Sequence, residues 1–351
     1  MQRLKITFFS IFTTIIFLTV GCSSLNKTPK RSNVSALMQA KLFADLPDNC
    51  VTPDAFDVSP RGQLTLSCPN YARSMSGTLV NVSDLGEVTE IEFLSSELRP
   101  VRPMGIAYAP DGSLFIADNV GNDQGRLIRV FFDKNGVISQ SEIVAEGLTS
   151  PNGVRYHNGY IYLTQPQLPK AKSKHMLSGI YRFKITDRNI QIPSDGSSNH
   201  VLFIAKTKNP TRQLGLDGLV FDKEGSLYAS NLGDAIIYKL RFNADGEISQ
   251  VINFAQLPKN IGPDGINIDG TGNFYVAGFL TNEIYMVDTI GNVKLIAKYP
   301  DNSGANGGID QPADLIVYKN KLIISNFDLM SGQGIVNKGH SKPYTLSYIE
   351  L

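Results

Sequence analysis

The stretch GPDGINIDGTGNFYVAG, residues 262–278, decides the fold of this chain. It contains a proline turn, a run of alternating apolar residues, a glycine-containing turn and a second apolar run. Short runs with a period of two, joined by turns rich in Asp, Asn and Gly, are typical of antiparallel β-hairpins. The stretch therefore predicts two neighbouring strands of one sheet.

The same pattern occurs five more times. The other copies start at residues 52, 102, 150, 215 and 311, and successive copies lie 47 to 50 residues apart except for one interval of 65. A third apolar run and then a fourth follow the inner copies, as in AIIYKLRF (235–242) and SQVINFAQ (249–256). Four strands in about 50 residues are typical of a β-propeller blade. We therefore predict an all-β, six-bladed propeller of four-stranded antiparallel blades over residues 39–351.

The two ends of the repeat region predict how the ring closes. The last copy is followed by only one more apolar run, TLSYIEL (345–351), so its fourth strand is missing. The segment AKLFADLPDNCVTPDAF, from residue 40, parallels QVINFAQLPKNIGPDGI, where a fourth strand leads into the next blade. We expect residues 40–46 to pair beside residues 345–351, which removes exposed sheet edges.

The composition excludes several classes of protein. The 351 residues include 33 Lys and Arg against 32 Asp and Glu, with 42% hydrophobic and 19% charged residues. This balance excludes a disordered chain and gives no support for nucleic-acid binding, which normally shows a basic excess. Three cysteines are too few for a disulfide-dense small protein, but an odd number needs an explanation.

The N-terminus explains one cysteine. Arg3 and Lys5 precede an apolar run over residues 6–20, the layout of a secretory signal, and Gly21-Cys22 follows directly. This end resembles a bacterial lipobox, which implies a signal peptide over residues 1–21, a lipidated Cys22 and a polar tether over residues 22–38. The serine after Cys22 implies sorting to the outer membrane, facing the periplasm. The alternative is an ordinary signal peptide that ends near a cysteine.

The other two cysteines lie in the first repeat. Cys50 enters the first inner strand and Cys68 ends the strand that pairs with it. Antiparallel neighbours bring these two ends together, and a disulfide is expected in an oxidising compartment. The alternative is a pair of buried free thiols.

The residue that opens each inner strand points to the propeller axis. Four of these six positions carry a side-chain oxygen, and they are Asp54, Asn152, Asp217 and Asp264. Three carboxylates on one axis repel each other unless a cation binds. Because the donors are all oxygens, the pattern predicts a Ca²⁺ site, with Mg²⁺ and Mn²⁺ as alternatives. Each residue could instead simply shape a turn.

From about residue 40 to residue 351 the chain resembles the senescence marker protein/gluconolactonase superfamily of six-bladed propellers, which includes the paraoxonases. The resemblance rests on the blade repeat and on the polar residues at inner strand starts in blades one, three, four and five. It implies that Asp54, Asn152, Asp217 and Asp264 hold Ca²⁺. Asp54 stands where the family usually has Glu, and Asp217 where it usually has Asn. Met104 stands where paraoxonases carry a catalytic His.

The resemblance also implies a reaction. A cation on the axis would polarise the carbonyl of a small-molecule lactone or ester, and a carboxylate would activate water. Asp264 is nominated as both ligand and base. Four loop residues on the same face are candidates for binding substrate: Asp118, Asn231, Asn326 and Asp328. Asp118 and Asp328 are also alternatives to Asp264 as the base. The alternative role for these four is loop capping.

Three functions follow from this pattern. The leading one is a Ca²⁺-dependent lactonase or related ester hydrolase in the bacterial cell envelope, attached to the membrane only through its lipid anchor. The second is a non-catalytic propeller that binds or scaffolds other envelope proteins, because a fold does not settle a function. The third is a strictosidine-synthase-like or lyase activity on the same fold. The sequence names neither the substrate nor a protein partner.

Overall fold

The structure is a computed structural model that describes residues 36–169 and 173–351. Its strands form six sheets, each with four antiparallel strands. The first strand of each sheet packs against the first strands of the sheets before and after it, and the sixth returns to the first. The predicted six-bladed β-propeller is therefore confirmed.

The strands follow one another in chain order as the repeat predicts. They are β1 (Lys41–Asp45), β2 (Phe56–Val58), β3 (Leu64–Cys68), β4 (Thr78–Val82), β5 (Val88–Glu90), β6 (Pro103–Tyr108), β7 (Leu114–Asp118), β8 (Gly125–Phe132), β9 (Ile138–Leu148), β10 (Val154–His157), β11 (Tyr160–Gln165), β12 (Met176–Lys184), β13 (Ile190–Gln191), β14 (Val201–Thr207), β15 (Leu216–Phe221), β16 (Leu227–Asn231), β17 (Ile236–Phe242), β18 (Ile248–Gln256), β19 (Pro263–Ile268), β20 (Phe274–Gly278), β21 (Glu283–Val287), β22 (Val293–Lys298), β23 (Pro312–Tyr318), β24 (Lys321–Asn326) and β25 (Thr345–Glu350). Within the described residues the only helical segment is a 3-10 turn at Ser96–Leu98.

The ring closes as the two chain ends predict. Blade six consists of β23, β24, β25 and β1, in that order from the axis outward. Strand β1 pairs antiparallel with β25, with Lys41 opposite Tyr348 and Asp45 opposite Thr345. The pairing of N- and C-terminal strands is therefore confirmed. It places β25 between β24 and β1, so β25 is not an edge strand of its sheet.

The core lies between the blades. Six apolar clusters fill the six interfaces between neighbouring sheets, each built from strands of two adjacent blades. The second strands β3, β7, β16 and β20 are buried at every position, because both of their faces pack against a neighbouring blade. A ring of this kind holds the start of each inner strand at a fixed place on the axis.

Blade two differs from the prediction by a fifth strand. The short β13 comes from the long segment between the third and fourth strands of blade three, and it pairs parallel with β9. Ile192, directly after β13, is buried against blade two and donates its N–H to the carbonyl of Glu146. The insertion therefore covers the outer edge of blade two, which satisfies backbone groups that an edge strand leaves unpaired.

The disulfide between Cys50 and Cys68 is present, with both residues fully buried. The two cysteines are 18 residues apart. Replacing both by serine is expected to lower the free energy of unfolding by about 3 kcal/mol, because the disulfide no longer restricts a loop of this length in the unfolded chain. Urea denaturation would measure the loss, and reduction of the wild-type protein should reproduce it. An unchanged midpoint in both samples would contradict this expectation.

The predicted signal peptide, the lipidated Cys22 and most of the tether lie outside the described residues. Within the described residues, no helix is long and apolar enough to span a membrane.

Candidate metal centre

The four predicted ligand residues lie together on the propeller axis. Asp54, Asn152, Asp217 and Asp264 line one small cavity of about 20 Å³. Its other lining residues include the glycines that follow three of them, together with Arg155 and Asp314. A cavity of this size holds about one water molecule or ion. The sequence thus placed these four residues on one axis correctly, while their role as ligands stays a prediction.

A bulge at the start of the inner strands β15 and β19 turns Asp217 and Asp264 to the axis. The ladder slips by one residue between Pro263 and Ile266 of β19, and between Leu216 and Leu219 of β15. The same slip occurs in β6 and β23. A bulge re-aims a side chain at the end of a ladder, and here the residue re-aimed in β15 and β19 is the aspartate.

Glycines let the inner strands approach each other closely around the axis. A Cβ on Gly218 would lie 2.5 Å from the carbonyl oxygen of Asp264, and one on Gly153 would lie 2.6 Å from that of Asp217. Neither distance is compatible with a methyl group, so the glycines of Leu-Asp-Gly (216–218) and Pro-Asn-Gly (151–153) serve packing as well as turn formation.

Buried hydroxyl groups fix the backbone of three candidate ligand residues. Each hydroxyl comes from the second strand of the preceding blade and donates to a carbonyl oxygen at 2.6 Å: Ser325 to Asp54, Thr164 to Asp217, and Ser230 to Asp264. Asn152 is held instead by the N–H of Gly105 at 3.0 Å. These bonds keep the four side chains at fixed positions before any ligand arrives.

The carboxylates are buried and repel one another. Burial raises the pKa of Asp54 and Asp264 well above the ordinary range, and the charges of the neighbouring aspartates raise both further. Burial raises the pKa of Asp217 to about 7, against a hydrogen bond shared with Asp264 that lowers it. Outside this group, no described residue donates a hydrogen bond to these carboxylates. Such a group is stabilised by a bound cation.

Asp314 is a fourth carboxylate that the sequence did not predict. It occupies the position that holds glycine in four of the other repeats, and it is buried beside the cavity. Its Oδ2 accepts the N–H of Phe56 at 3.1 Å, while its Oδ1 is buried without a partner. An aspartate where most repeats have glycine is the sequence signal that could have identified Asp314 as a candidate site residue.

Arg155 supplies one positive charge at the wall of the cavity, with its Nη2 at 3.8 Å from Oδ2 of Asp314. Four carboxylates and one guanidinium leave an excess of negative charge, and every candidate donor is a hard oxygen. The residues present therefore fit a Ca²⁺-type ion. Within the described residues, no group of three Asp, Glu, His or Cys side chains is arranged so that it could hold a metal ion by itself. An ion here would therefore also need the Asn152 amide and water as ligands.

The predicted substrate-binding residues lie on the expected face but do not line this cavity. Asp118 is fully buried, accepts the N–H of Arg102 at 2.6 Å and pairs with Arg126. Asn231 accepts the N–H of Asp234 at 2.9 Å, which holds the loop that follows β16. This geometry favours loop capping for both, and a role in substrate binding stays a prediction.

Asn326 and Asp328 also bind their own loops. The Asn326 side chain accepts the N–H of Asp310 at 3.0 Å and donates to Thr345 and Ser347 at 2.9 and 2.8 Å. Asp328 accepts the N–H of Ser341 at 2.8 Å through Oδ2, while its Oδ1 is buried without a partner. Asp328 is thus only partly satisfied by capping.

A second buried acid pair, which sequence reasoning missed, contains Asp328 and Asp310. The Oδ1 of Asp310 accepts from Asn282 at 3.1 Å, and its Oδ2 has no partner. Burial, together with the nearby charge of Asp328, raises the pKa of Asp310 to about 7. The folded protein therefore holds a proton here that the unfolded chain releases near its ordinary pKa of 3.8.

This pair predicts a pH dependence of stability. The contribution of Asp310 is most favourable at low pH and is lost as the pH rises from about 4 through about 7, because the folded state binds more protons there. We expect Asp310→Asn, which keeps the acceptor for Asn282 and cannot ionise, to reduce the stability difference between pH 5 and pH 8. Urea denaturation at both pH values measures this. The exposed Asp245→Asn is the control, and an unchanged difference in Asp310→Asn would contradict the expectation.

Known structures share this architecture. A gluconolactonase from Xanthomonas campestris is 17% identical, with 90% of each chain covered and a TM-score of 0.55. The calcium-binding protein regucalcin from Agrobacterium tumefaciens is 16% identical over 89% of this chain and 94% of its own, with a TM-score of 0.55. A luciferin-regenerating enzyme is 13% identical over 90% and 96%, with a TM-score of 0.60. No family description and no curated protein matches the sequence. At these identities the likeness concerns architecture, and the chain has the fold of the gluconolactonase-like six-bladed propellers.

Proposed function

We propose that this chain is a Ca²⁺-dependent hydrolase of lactones or related esters. One observation carries the proposal: three aspartates and an asparagine from four different blades converge on one ion-sized cavity, without hydrogen-bond donors to satisfy the carboxylates. The comparison structures support it at the level of fold, since they include a gluconolactonase and a calcium-binding protein.

Each residue of the site would have its own role in hydrolysis. When bound, the ion supplies a Lewis acid that polarises a carbonyl group. Asp54, Asn152 and Asp217 hold the site through their side-chain oxygens. Asp264, which is less buried than Asp54 or Asp217, accepts a proton from the attacking water. The water oxygen bonds to the carbonyl carbon, the ring C–O bond breaks, and the proton passes to the leaving alkoxide.

Arg155 has a supporting part in this proposal. Burial raises the pKa of Asp314, and the Arg155 guanidinium opposes this by lowering it.

A panel of lactones and aryl esters, assayed with and without a calcium chelator, tests the proposal. We expect ring-opened hydroxy acid as product and a loss of turnover on chelation that added Ca²⁺ reverses. Bound calcium without any turnover would favour the binding or scaffold function instead. An unsaturated elimination product would favour a lyase. Turnover that the chelator does not change would overturn the metal-dependent mechanism.

We also propose that the propeller is tethered in the bacterial cell envelope through Cys22. The lipobox-like sequence supports this, and the buried disulfide is consistent with an oxidising compartment. Replacing Cys22 by alanine is expected to release the protein from the membrane fraction. Retention of the variant in that fraction would contradict the anchor.

A further inference from the structure

The ring of candidate ligands at the starts of the inner strands has a gap at blade six. Its four members come from blades one, three, four and five, and the equivalent positions in blades two and six hold Met104 and Ala313. Neither of these side chains offers an oxygen to an ion. Ca²⁺ takes about six to eight oxygen ligands, so four protein side chains leave several positions for other groups.

The next layer of residues along the axis is nearly free of side chains. The residue that follows each ring position is glycine or alanine in five of the six blades. All six of these residues line the axial cavity: Ala55, Gly105, Gly153, Gly218, Gly265 and Asp314. Asp314, from blade six, therefore contributes the one carboxylate of this layer.

Contacts on two sides place the carboxyl group of Asp314 in the gap between blades one and five. Its Oδ2 accepts the N–H of Phe56, in blade one, at 3.1 Å. A Cβ on Gly265, in blade five, would collide with Oδ1. Because Gly265 directly follows Asp264, Oδ1 lies beside the backbone that carries one candidate ligand, and Oδ2 faces the strand that follows Asp54.

The position of Asp314 is fixed, but one of its oxygens is free. The hydroxyl of Ser325 accepts the N–H of Asp314 at 2.9 Å and donates to the carbonyl of Asp54 at 2.6 Å, which ties the two residues together. Arg155 lies on the side of Oδ2, with its Nη2 at 3.8 Å. Oδ1 is shielded from bulk water and has no hydrogen-bond partner among the described residues.

The charge of Asp314 acts on the three aspartates of the ring. Burial raises the pKa of Asp54, Asp217 and Asp264, and the charge of Asp314 contributes to the rise in each of them. Such an effect requires the carboxylates to lie near one another. Only 6% of the surface of Asp314 is exposed. A buried carboxylate is normally paired or bound to a metal ion, and Oδ1 has no donor.

We propose that Oδ1 of Asp314 is a fifth protein ligand of the ion, supplied by blade six. This inference rests on the proposed function and adds a ligand that the equivalent positions of the repeat do not contain. The alternative is a structural role, in which Asp314 only accepts the N–H of Phe56 and neutralises Arg155. The two roles differ in one respect, because the loss of a ligand admits water to the bound ion and the loss of a structural contact does not.

The luminescence of bound Tb³⁺, a hard ion that binds oxygen ligands as Ca²⁺ does, separates the two roles. Its lifetimes in H₂O and in D₂O give the number of water molecules on the ion. We expect Asp314→Ala to add about one water molecule, because water fills a coordination position that a protein ligand leaves. Thermal unfolding in the presence of a chelator checks that the variant is folded.

Calorimetric titration of the chelator-stripped protein with Ca²⁺ measures the affinity. Asp314→Asn keeps an acceptor for the N–H of Phe56 and should lower the affinity at least about tenfold, since even a residue that only supports metal ligands usually contributes that much. Asp57→Asn is the matched control. Burial raises the pKa of Asp57 and nearby Arg155 lowers it, as for Asp314, but Asp57 does not line the axial cavity. The control should lower the affinity far less and leave the number of bound water molecules unchanged.

The outcomes distinguish this inference from the proposed function. An unchanged number of bound water molecules in Asp314→Ala, or equal losses of affinity in Asp314→Asn and Asp57→Asn, would overturn the ligand role and leave the metal-dependent hydrolase standing. The expected changes in a protein that hydrolyses no lactone would support Asp314 as a ligand and contradict the hydrolase. A wild-type protein that binds neither Ca²⁺ nor Tb³⁺ would overturn both.

Discussion

Asp264→Asn is expected to lower lactone turnover at least about 100-fold, a loss typical of removing one group that stabilises the reacting charge. The substitution keeps the shape of the side chain, but the amide can neither accept a proton at neutral pH nor carry a negative charge. Calcium affinity should fall as well, because Asp264 is proposed as both ligand and base. Initial rates and calorimetric Ca²⁺ titration measure the two effects separately.

Two comparison variants sharpen this expectation. Asp217→Asn places an amide at a position where the superfamily that this chain resembles usually has Asn. It also removes one negative charge from a group of neighbouring carboxylates. We expect it to keep Ca²⁺ binding and to lose less than about tenfold in rate. Asp245→Asn changes an exposed residue in a turn on the opposite face and should have no effect. Wild-type turnover in Asp264→Asn would show that another group acts as the base.

Deleting residues 345–351 is expected to abolish the soluble, cooperatively folded protein. The deletion removes β25, which lies between β24 and β1. It also removes two buried side chains, Leu346 and Ile349. Two sheet edges would then be exposed, and exposed edges promote aggregation. Expression in the soluble fraction, followed by thermal unfolding, is the measurement.

Graded variants keep this expectation testable if the deletion yields no protein. Leu346→Ala keeps the backbone pairing and should cost about 2 to 5 kcal/mol of stability, as is usual for a buried leucine. Removing Leu351 alone takes away an exposed residue that lies outside β25 and should leave unfolding unchanged. A soluble deletion variant with wild-type melting would contradict closure by the two termini.

The repeat carried most of the fold because each blade is specified locally. Turn residues and the alternation of apolar positions recur in every copy, so six sheets and the closing strand pair followed from the sequence. The short β13 did not, because two residues of a long insertion carry no periodicity of their own. Its place depends on the open edge of a neighbouring blade.

The candidate site was predictable to the extent that it follows the repeat. Asp54, Asn152, Asp217 and Asp264 occupy equivalent positions, and equivalence places them on one axis. Asp314 departs from the repeat, and Arg155 occupies an ordinary position in a strand. The repeat therefore does not predict that either side chain faces the axial cavity. The hydrogen bonds that engage Asp118 come from a preceding loop and a neighbouring strand, and only the folded chain brings these partners together.

The most direct test of the central claim measures metal content and lactone turnover on the same protein sample. The protein would be stripped with a chelator, analysed for calcium, and titrated back while hydrolysis of δ-decalactone and δ-valerolactone is followed. The account predicts that turnover is lost with the metal and returns in proportion to occupancy, saturating at about one ion per chain. Full turnover by protein that contains no calcium, magnesium or manganese would contradict it.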